Sequence, residues 1–340
     1  MRALTHELLF YVCLLVNAVS VISERGERPP NAGCPVVVDN EANRTLRVAL
    51  GMYGLVRHMC PEANIARVFY EPLRRVVGLS FEVDTFVAAN ILTHSETPTD
   101  RRDTVEHFGA YKPLSQTEYM NFNPCHISVM DQDMVDYETL GSLNATCGKY
   151  GDHWKDKTCR TTHNLLSALH AQRRLGHLIR ANERTAKFEY DFLVVARVDV
   201  LFTNSIPHAL YADVAARAVE KKSVIATPAW GRWGGANDRF ALGTREAALA
   251  YLERLENVAA YCDRVHGALH SENFALWVIE TMDATEHKPT EGLLFRRVRG
   301  NGGLHKAQYT TPAADKKCVL HDTHKCSIEL VAKVGVCNAQ

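Results

Sequence analysis

The sequence carries no surplus of charge of either sign. Its 340 residues contain 39 Lys and Arg against 39 Asp and Glu, so the formal net charge is zero. Proteins that bind a phosphate backbone usually have a basic surplus or a basic stripe, and because neither is present we expect no nucleic-acid partner. Hydrophobic residues at 46% and charged residues at 23% are ordinary globular values. They exclude a largely disordered chain, a collagen and a multi-span membrane protein.

The usual catalytic signatures are also missing. The sequence has no G-x-S-x-G, H-E-x-x-H, G-x-x-x-x-G-K-[ST] or G-x-G-x-x-G motif. Serine hydrolases, zinc proteases, P-loop enzymes and dinucleotide oxidoreductases therefore lose support. The ten cysteines include no C-x-x-C pair, so a structural zinc site or a thioredoxin-like redox centre is poorly supported as well.

The N-terminal segment predicts a targeting signal within residues 1–24. Leu8 to Ile22 is a nearly uncharged apolar run, and Ala18-Val19-Ser20 is a small-x-small cleavage candidate. A cleavable signal peptide needs about 7–15 apolar residues, whereas a membrane span needs about 20. A secretory signal is favoured over a signal-anchor, and a buried N-terminal helix is the third alternative. We interpret the polar residues 25–45 that follow as a stem or linker.

Cysteines and sequons indicate the secretory pathway. Asn43 and Asn144 begin N-x-S/T sequons, which are potential glycan acceptors in a translocated chain. Nine cysteines lie outside the apolar run, and in an oxidising lumen we expect them to form disulfides. Because nine is odd, at least one is free, buried or intermolecular, and the connectivity stays open. The expected location is the Golgi or endoplasmic reticulum lumen, as a type II membrane protein, or the outside of the cell.

Alternating strand and helix patterns predict an α/β fold with a mostly parallel sheet. Apolar runs predict strands over residues 47–54, 81–91, 190–202 and 223–227. Helical spacing predicts helices over residues 61–77, 163–187, 244–255 and 270–277, with Thr244 as a cap. The turn-rich residues 94–162 are interpreted as an irregular, disulfide-bearing insertion with one further strand.

The strongest strand ends in Arg197 and Asp199. In open α/β sheets, ligands lie just beyond the carboxyl ends of the strands. A carboxylate there can hold a divalent cation against a diphosphate, and an adjacent arginine can offset phosphate charge through paired hydrogen bonds. The alternative is a purely structural Arg–Asp pair that closes the strand end.

The order of several segments resembles that of nucleotide-sugar glycosyltransferases of the GT-A-like type. These segments are RVALGMYGLVR, FEVDTFV, HNLLSALHAQRRLGHLI leading into YDFLVVARVDVLF, GGANDRFALGTREAALAYLERL, HSENFALWVI and FRRVRGNGG. The resemblance covers roughly residues 46–305. It implies a single GT-A-like, Rossmann-type domain over residues 46–312, followed by a cysteine-rich tail over residues 313–340.

In GT-A enzymes a strand-end Asp-x-Asp binds Mn²⁺ or Mg²⁺ and the donor diphosphate. Here Arg197-Val198-Asp199 occupies that place, so the resemblance implies Asp199 as the metal ligand and both Arg197 and Asp199 as donor-binding residues. Because the first acid is missing, Arg197 is an alternative source of the positive charge. A true Asp-x-Asp, Asp131-Gln132-Asp133, is a second metal candidate, although a solvated acidic loop is favoured there.

Further roles are carried over from the same resemblance. Residues expected to border the nucleotide, donor sugar or acceptor are Tyr53, Gly54, Arg57, Asn237 and Arg239. Either Asp238 or Glu272 would be the catalytic base that deprotonates the acceptor hydroxyl. The simpler alternatives are a paired turn for Asp238 and Arg239 and a helix N-terminal charge for Glu272.

Two minor candidates complete the site prediction. His305 could contact phosphate or metal, although a lone histidine more often does neither. Trp230 and Trp233 could stack on a sugar face or simply pack in the fold.

The predicted activity is transfer of a sugar from a nucleotide diphosphate sugar to a glycan, protein or lipid hydroxyl. One alternative is a non-catalytic domain of the same fold that binds a glycan or nucleotide sugar. Another is a secreted hydrolase that acts through Asp238 and Glu272.

Overall fold

The computed structural model describes residues 34–40, 44–56, 65–91, 124–134, 149–155, 157 and 159–297. The chain divides into residues 1–32 and 33–340, and all described residues belong to the second unit. Predictions outside the described residues concern the N-terminal apolar run, the sequon residues Asn43 and Asn144, Arg57, His305 and the tail 313–340. No described helix has the length and apolarity needed to cross a membrane.

An eight-stranded, mostly parallel sheet forms the middle of the fold. Its strands are β1 (Val36–Val38), β2 (Thr45–Leu55), β3 (Ser80–Ile91), β4 (His126–Asp131), β5 (Phe192–Arg197), β7 (Val224–Pro228), β8 (Phe240–Thr244) and β9 (Glu286–Thr290). The order is β1-β3-β2-β5-β8-β7-β9, with β4 also paired to β3. A separate antiparallel pair joins β6 (Val200–Phe202) to β10 (Phe295–Arg297).

Helices cover both faces of the sheet. They are α1 (Arg160–Ala186), α2 (His208–Val219), α3 (Arg245–Leu252), α4 (Val258–Val265) and α5 (Ser271–Thr281), with a π-helix at Ala66–Tyr70 that continues into the turn Glu71–Leu73. The side chains of α2 and of the π-helical segment pack on one face, and those of α1, α3 and α5 pack on the other. The predicted α/β class, a mostly parallel sheet flanked by helices, is confirmed.

The strand order reverses beside β2. The chain runs from β2 outward to β3 and β4, and then returns through α1 to β5 on the other side of β2. Strands β2 and β5 are parallel, so Tyr53 and Arg197 near their carboxyl ends lie opposite each other in register. Strand β8 is antiparallel to β5, and Arg197 N donates to Arg239 O at 3.1 Å. Residues before β8 therefore reach the edge where open α/β sheets bind ligands.

A disulfide joins two edge strands that the sequence separates widely. Strand β1 pairs with the first half of β3, and β4 pairs with the second half of the same edge. Cys34 and Cys125, just before these strands, are bonded with their Cα atoms 5.7 Å apart. In the described part of the predicted insertion over residues 94–162, a disulfide at Cys125 and the strand β4 are present, as predicted. Residues 36–38, which the sequence interpretation placed in the stem, are part of the sheet because β3 offers them an open edge.

The other two described cysteines are consistent with the odd number of cysteines outside the apolar run, since one of them is free. Cys159 is disulfide-bonded. Cys262 is free and buried. Its surroundings in the core raise the thiol pKa to about 11, chiefly through burial, so it is a packed, unreactive thiol.

Two local predictions are wrong in detail. The single strand over residues 190–202 breaks after Arg197, because the chain leaves the main sheet and pairs with β10 instead. Thr244 does precede α3, but it does not cap the helix with its side chain. Its hydroxyl accepts from Val224 N at 3.1 Å, so the side chain joins β8 to β7.

Candidate active site at the carboxyl ends of β2 and β5

Three segments bring charged side chains to the point where the strand order reverses. These are the end of β5 with the turn after it, the residues just before β8 and the first turn of α5. The charged groups they contribute are Arg197, Asp199, Asp238, Arg239 and Glu272, which we call the switch-point cluster. Asp199, Asp238 and Glu272 are all buried.

Arg197 and Asp199 form an ion pair with two hydrogen bonds. Arg197 Nε and Nη2 donate to the two carboxylate oxygens of Asp199, each at 2.7 Å. Asp199 is 1% exposed. Burial acts to lower the pKa of the Arg197 guanidinium, but the adjacent Asp199 carboxylate outweighs it and raises that pKa. The Arg197 guanidinium therefore stays charged, and its contact with Asp199 corresponds to the Arg–Asp pair that was the structural alternative for this strand end.

The end of β2 contributes a buried tyrosine and an open glycine. Tyr53 donates its hydroxyl hydrogen to the Asp238 carbonyl oxygen at 2.6 Å and ties β2 to the segment before β8. Burial raises the pKa of Tyr53, so it stays a neutral donor. Gly54 has φ +110°, and a Cβ placed there would meet no atom within 4 Å. The backbone at Gly54 is therefore open to a ligand.

Arg239 is shared by two carboxylates. Its Nη1 lies 2.9 Å from Asp238 Oδ1 and 3.2 Å from Glu272 Oε1. The other Asp238 oxygen accepts from the Ser271 hydroxyl. His270 Nε2 lies 3.6 Å from Glu272 Oε2. The Asp238–Arg239 contact matches the paired turn that was the simpler alternative, but Glu272 belongs to the same network.

The two carboxylates around Arg239 differ in proton affinity. Burial acts to raise the pKa of Asp238, but Arg239 and Arg197 outweigh it and leave that pKa below its usual value. Burial, followed by the negative charge of Asp238, raises the pKa of Glu272 to about 7. Carboxyl pairs whose environments separate their pKa values are able to divide acid and base roles. Near neutral pH, Glu272 is the one able to gain or lose a proton.

The loop before β8 has a tightly held end. Asn237 is fully buried; its Oδ1 accepts from Arg239 N at 3.0 Å and its Nδ2 donates to Trp230 O at 2.9 Å. A Cβ on Gly235 would overlap the carbonyl oxygen of Glu272, so only glycine allows the loop to lie against α5. Asn237 thus shapes the site, and its predicted contact with the donor stays a prediction.

Sequence reasoning missed three participants. Arg254 is 1% exposed, donates Nη1 to Tyr251 O at 2.6 Å and helps to lower the pKa of Asp238. Its position among helical residues resembles an ordinary exposed helix charge, so no local signal marks it. His270 and Ser271 lie in the segment HSENF and were visible as neighbours of Glu272.

The acidic motif at residues 131–133 is not part of this cluster. Asp131 ends β4, and Gln132–Met134 form a short 3-10 helix. Strands β3 and β2 separate β4 from β5. The structure therefore does not bring Asp131 together with Asp199.

The described residues around Asp199 do not form a ready metal site. Among them, no group of three or more His, Cys, Asp or Glu side chains is arranged to hold a metal. Both oxygens of Asp199 accept hydrogen bonds from Arg197. One carboxylate can hold Mg²⁺ together with substrate phosphates and water, so Asp199 would have to release Arg197 to bind the cation.

Comparisons with known proteins give a distant likeness among solved structures. No family model matches the chain. No curated protein matches it either. Among solved structures, the chain is similar to mouse xyloside xylosyltransferase 1 in its apo form, at 14% sequence identity and a TM-score of 0.35. The overlap covers 72% of this chain and 84% of the mouse chain.

Proposed function

We propose that this chain is a glycosyltransferase that moves a sugar from a nucleotide diphosphate sugar to a hydroxyl acceptor in the secretory pathway. The observation that carries the proposal is the switch-point cluster. Its two arginines and three carboxylates meet at the carboxyl ends of β2 and β5, the place where open α/β sheets bind ligands. The segment order that resembles GT-A-like enzymes supports it from the sequence.

On the donor side, Arg197 is the residue that meets the diphosphate. Asp199 takes the Nε and Nη2 hydrogens and so fixes the plane of the guanidinium, whose Nη1 remains to donate to a phosphate oxygen. Charge that develops on the leaving diphosphate is stabilised best by such a pre-oriented donor. The open backbone at Gly54 lets the nucleotide approach β2. Asp199 acts in this scheme as the residue that positions Arg197, and no step uses a metal.

On the acceptor side, Glu272 is the catalytic base. The acceptor oxygen attacks the anomeric carbon, its proton passes to the Glu272 carboxylate, and the bond to the diphosphate breaks with its electron pair. A base with a pKa near the working pH is the most effective, and the pKa of Glu272 is about 7. Asp238 stays ionised and contributes to that raised pKa.

Ligand binding and transfer with purified protein test the proposal. A nucleotide diphosphate that binds the native state at 100 times its Kd stabilises it by about 2.7 kcal/mol, which raises the Tm. We expect a UDP- or GDP-sugar to raise the Tm and to be consumed with a hydroxyl acceptor, in EDTA as well as in Mn²⁺. Loss of turnover in EDTA would contradict the metal-free scheme.

Substitution of Asp199 tests the site. Asp199→Ala should abolish donor binding and transfer, because Arg197 loses its fixed orientation. Asp199→Asn keeps the shape if the alanine variant fails to fold, and it should also lose most of its activity. Full activity in either folded variant would show that the donor does not bind here.

A non-catalytic binding domain is the second candidate. The Arg197–Asp199 ion pair favours it, since both oxygens of Asp199 already accept hydrogen bonds from an arginine. Such a domain would show a rise in Tm with nucleotide sugar or glycan but would form no product in a prolonged incubation.

The compartment is proposed from the sequence and from the disulfides. Cys34 and Cys125 are bonded, and Cys159 is bonded as well, which suits an oxidising lumen. Cell fractionation, glycosidase digestion and N-terminal sequencing would separate a cleaved, secreted protein from a type II Golgi or endoplasmic reticulum protein anchored by residues 8–22.

A further inference from the structure

The two tryptophans of the loop between β7 and β8 have different surroundings. Trp230 is half-buried; its Nε1 donates to Leu293 O at 2.6 Å, and its ring centre lies 4.7 Å from that of Phe295. Trp233 is 61% exposed. Trp230 therefore packs within the fold, whereas Trp233 presents its indole to solvent.

The backbone holds Trp233 in an unfavourable conformation. Its φ is +46°, a region that bulky side chains rarely adopt. The loop keeps it there through neighbouring contacts: Arg232 Nε donates to Gly235 O at 2.8 Å, and Ala236 N donates to Glu272 O at 2.9 Å. Strain of this kind at an exposed aromatic residue is typical of ligand-binding positions.

A second aromatic segment contacts His270, the residue just before α5. The exposed His153 has its ring centre 4.3 Å from that of His270, and the half-buried Trp154 lies 5.8 Å from it. Asp152 anchors this segment, since its carboxylate accepts from Thr162 N at 3.0 Å and from the Thr162 hydroxyl at 2.7 Å. The start of α5, which carries Glu272, is thus contacted by both aromatic loops.

We propose that Trp233 and Trp154 form the two sides of an acceptor subsite that binds a carbohydrate, so that a sugar hydroxyl reaches Glu272. This inference rests on the proposed transferase function and narrows its acceptor to a glycan. Pyranose rings present C–H faces that pack on flat aromatic rings, while their hydroxyl groups use nearby polar side chains.

The surroundings of Trp233 favour a sugar over a lipid tail. Among the described residues, no other large apolar side chain between β7 and β8 is exposed. A lipid chain requires a continuous apolar surface, whereas a sugar ring needs one or two separated aromatic platforms. Arg232 and Arg239 lie in the same loop region and provide polar contacts for hydroxyl groups.

The acceptor KM is the direct test. The experiment assays free oligosaccharides, a serine-containing peptide and a lipid alcohol as acceptors for the purified protein. Trp233→Ala and Trp154→Ala should each raise the KM for the oligosaccharide at least tenfold, with the nucleotide-induced rise in Tm unchanged. Trp233→Phe should restore most of the affinity. Val77→Ala is the matched control, because Val77 is 95% exposed and lies just before β3, at the opposite end of the sheet.

Glycan binding separates this inference from the proposed function. If no donor is turned over, the transferase proposal fails, and binding of the wild-type protein to a glycan array still tests the subsite. Array binding that is lost in Trp233→Ala supports the subsite. An unchanged KM in both tryptophan variants, preference for the peptide or the lipid, or the absence of glycan binding by the wild-type protein would overturn it.

Discussion

Buried charge occurs at both ends of the sheet, but its arrangement differs. At the amino end of β5, Arg245 Nε and Nη2 meet the two oxygens of Glu183 at 2.7 and 2.8 Å. At the carboxyl end, Arg239 Nη1 contacts both Asp238 and Glu272. In the first arrangement one arginine donates to both oxygens of one buried carboxylate and also reaches the exposed Glu189 and Glu246, and it joins α3 to α1. The second divides one guanidinium between two carboxylates.

This difference distinguishes a structural ion pair from a site able to do chemistry. A buried pair in which both carboxylate oxygens have donors holds elements together, and removing either partner is strongly destabilising. In the carboxyl-end cluster, burial and the negative charge of Asp238 outweigh the lowering effect of Arg239, and the pKa of Glu272 rises to about 7. Perturbed groups of this kind concentrate at functional sites.

Glu272→Gln should have the largest effect at the carboxyl-end cluster. Removal of the base should lower kcat by about 10²–10⁴-fold, with little change in donor binding. Glu183→Gln is the matched change at the other end, and it should reduce stability but leave kcat unchanged. Steady-state transfer assays at saturating donor measure both. A Glu272→Gln enzyme with more than a tenth of the wild-type kcat would assign the base elsewhere.

Arg245→Ala should have the largest effect on stability. It leaves Glu183, which is 5% exposed, as an uncompensated buried charge, so we expect the free energy of unfolding to fall by about 3–5 kcal/mol. Arg184, the next residue of α1, is exposed, and Arg184→Ala should change the free energy of unfolding by less than about 0.5 kcal/mol. Urea titration measures both. Equal effects would mean that the Arg245–Glu183 pair contributes nothing specific.

Asp238→Asn should move the titration of Glu272. The pKa of Glu272 rises on folding from 4.5 to about 7, so its contribution to stability is complete below pH 4.5 and is lost as the pH rises through about 7. Asp238 raises that pKa, so in Asp238→Asn the stability contributed by Glu272 should already be lost at a lower pH. Tm measured from pH 4 to pH 8, with Glu272→Gln as the reference that lacks the group, detects the shift. An unchanged profile would show that Asp238 does not act on Glu272.

Gly51→Ala should have the smallest effect, which is on the free energy of unfolding. It provides a reference at a position between the two ends of the sheet. Gly51 lies mid-way along β2, and a Cβ there would come within 2.7 Å of Leu175 Cδ2 in α1. Overpacking of this kind costs about 1–3 kcal/mol. Thermal unfolding should show this loss of stability. Leu175→Ala should destabilise the Gly51→Ala protein less than it destabilises the wild-type protein. Strict additivity of the two changes would contradict the close approach of α1 to β2.

The elements were predictable where local apolar patterns are long. The run around 81–91 and the helical spacing over 163–187 correspond to β3 and α1, because burial on one or both faces dictates which positions are apolar. The break after Arg197 was not predictable, since both alternatives have the same apolar pattern. Only the presence of β10 as a partner decides it.

The residues of the candidate site likewise divide into those that the sequence predicts and those that it does not. Arg197 and Asp199 were visible from the sequence because a buried strand that ends in charged residues marks a carboxyl-terminal edge. Arg254 was not visible, since its burial depends on packing against Tyr251.

The sequence by itself determined the α/β class, the strand end at Arg197 and Asp199, and the presence of Asp238 and Glu272 among the chemical candidates, because these follow from local pattern and residue type. The tertiary structure alone decided that Arg239 is shared, that Trp230 packs while Trp233 is exposed, and that Asp131 lies two strands away from the cluster. Such contacts join residues far apart in the chain, as with Tyr53 and Asp238, which are 185 positions apart. Which of them form depends on strand order and packing, and no local pattern encodes that order.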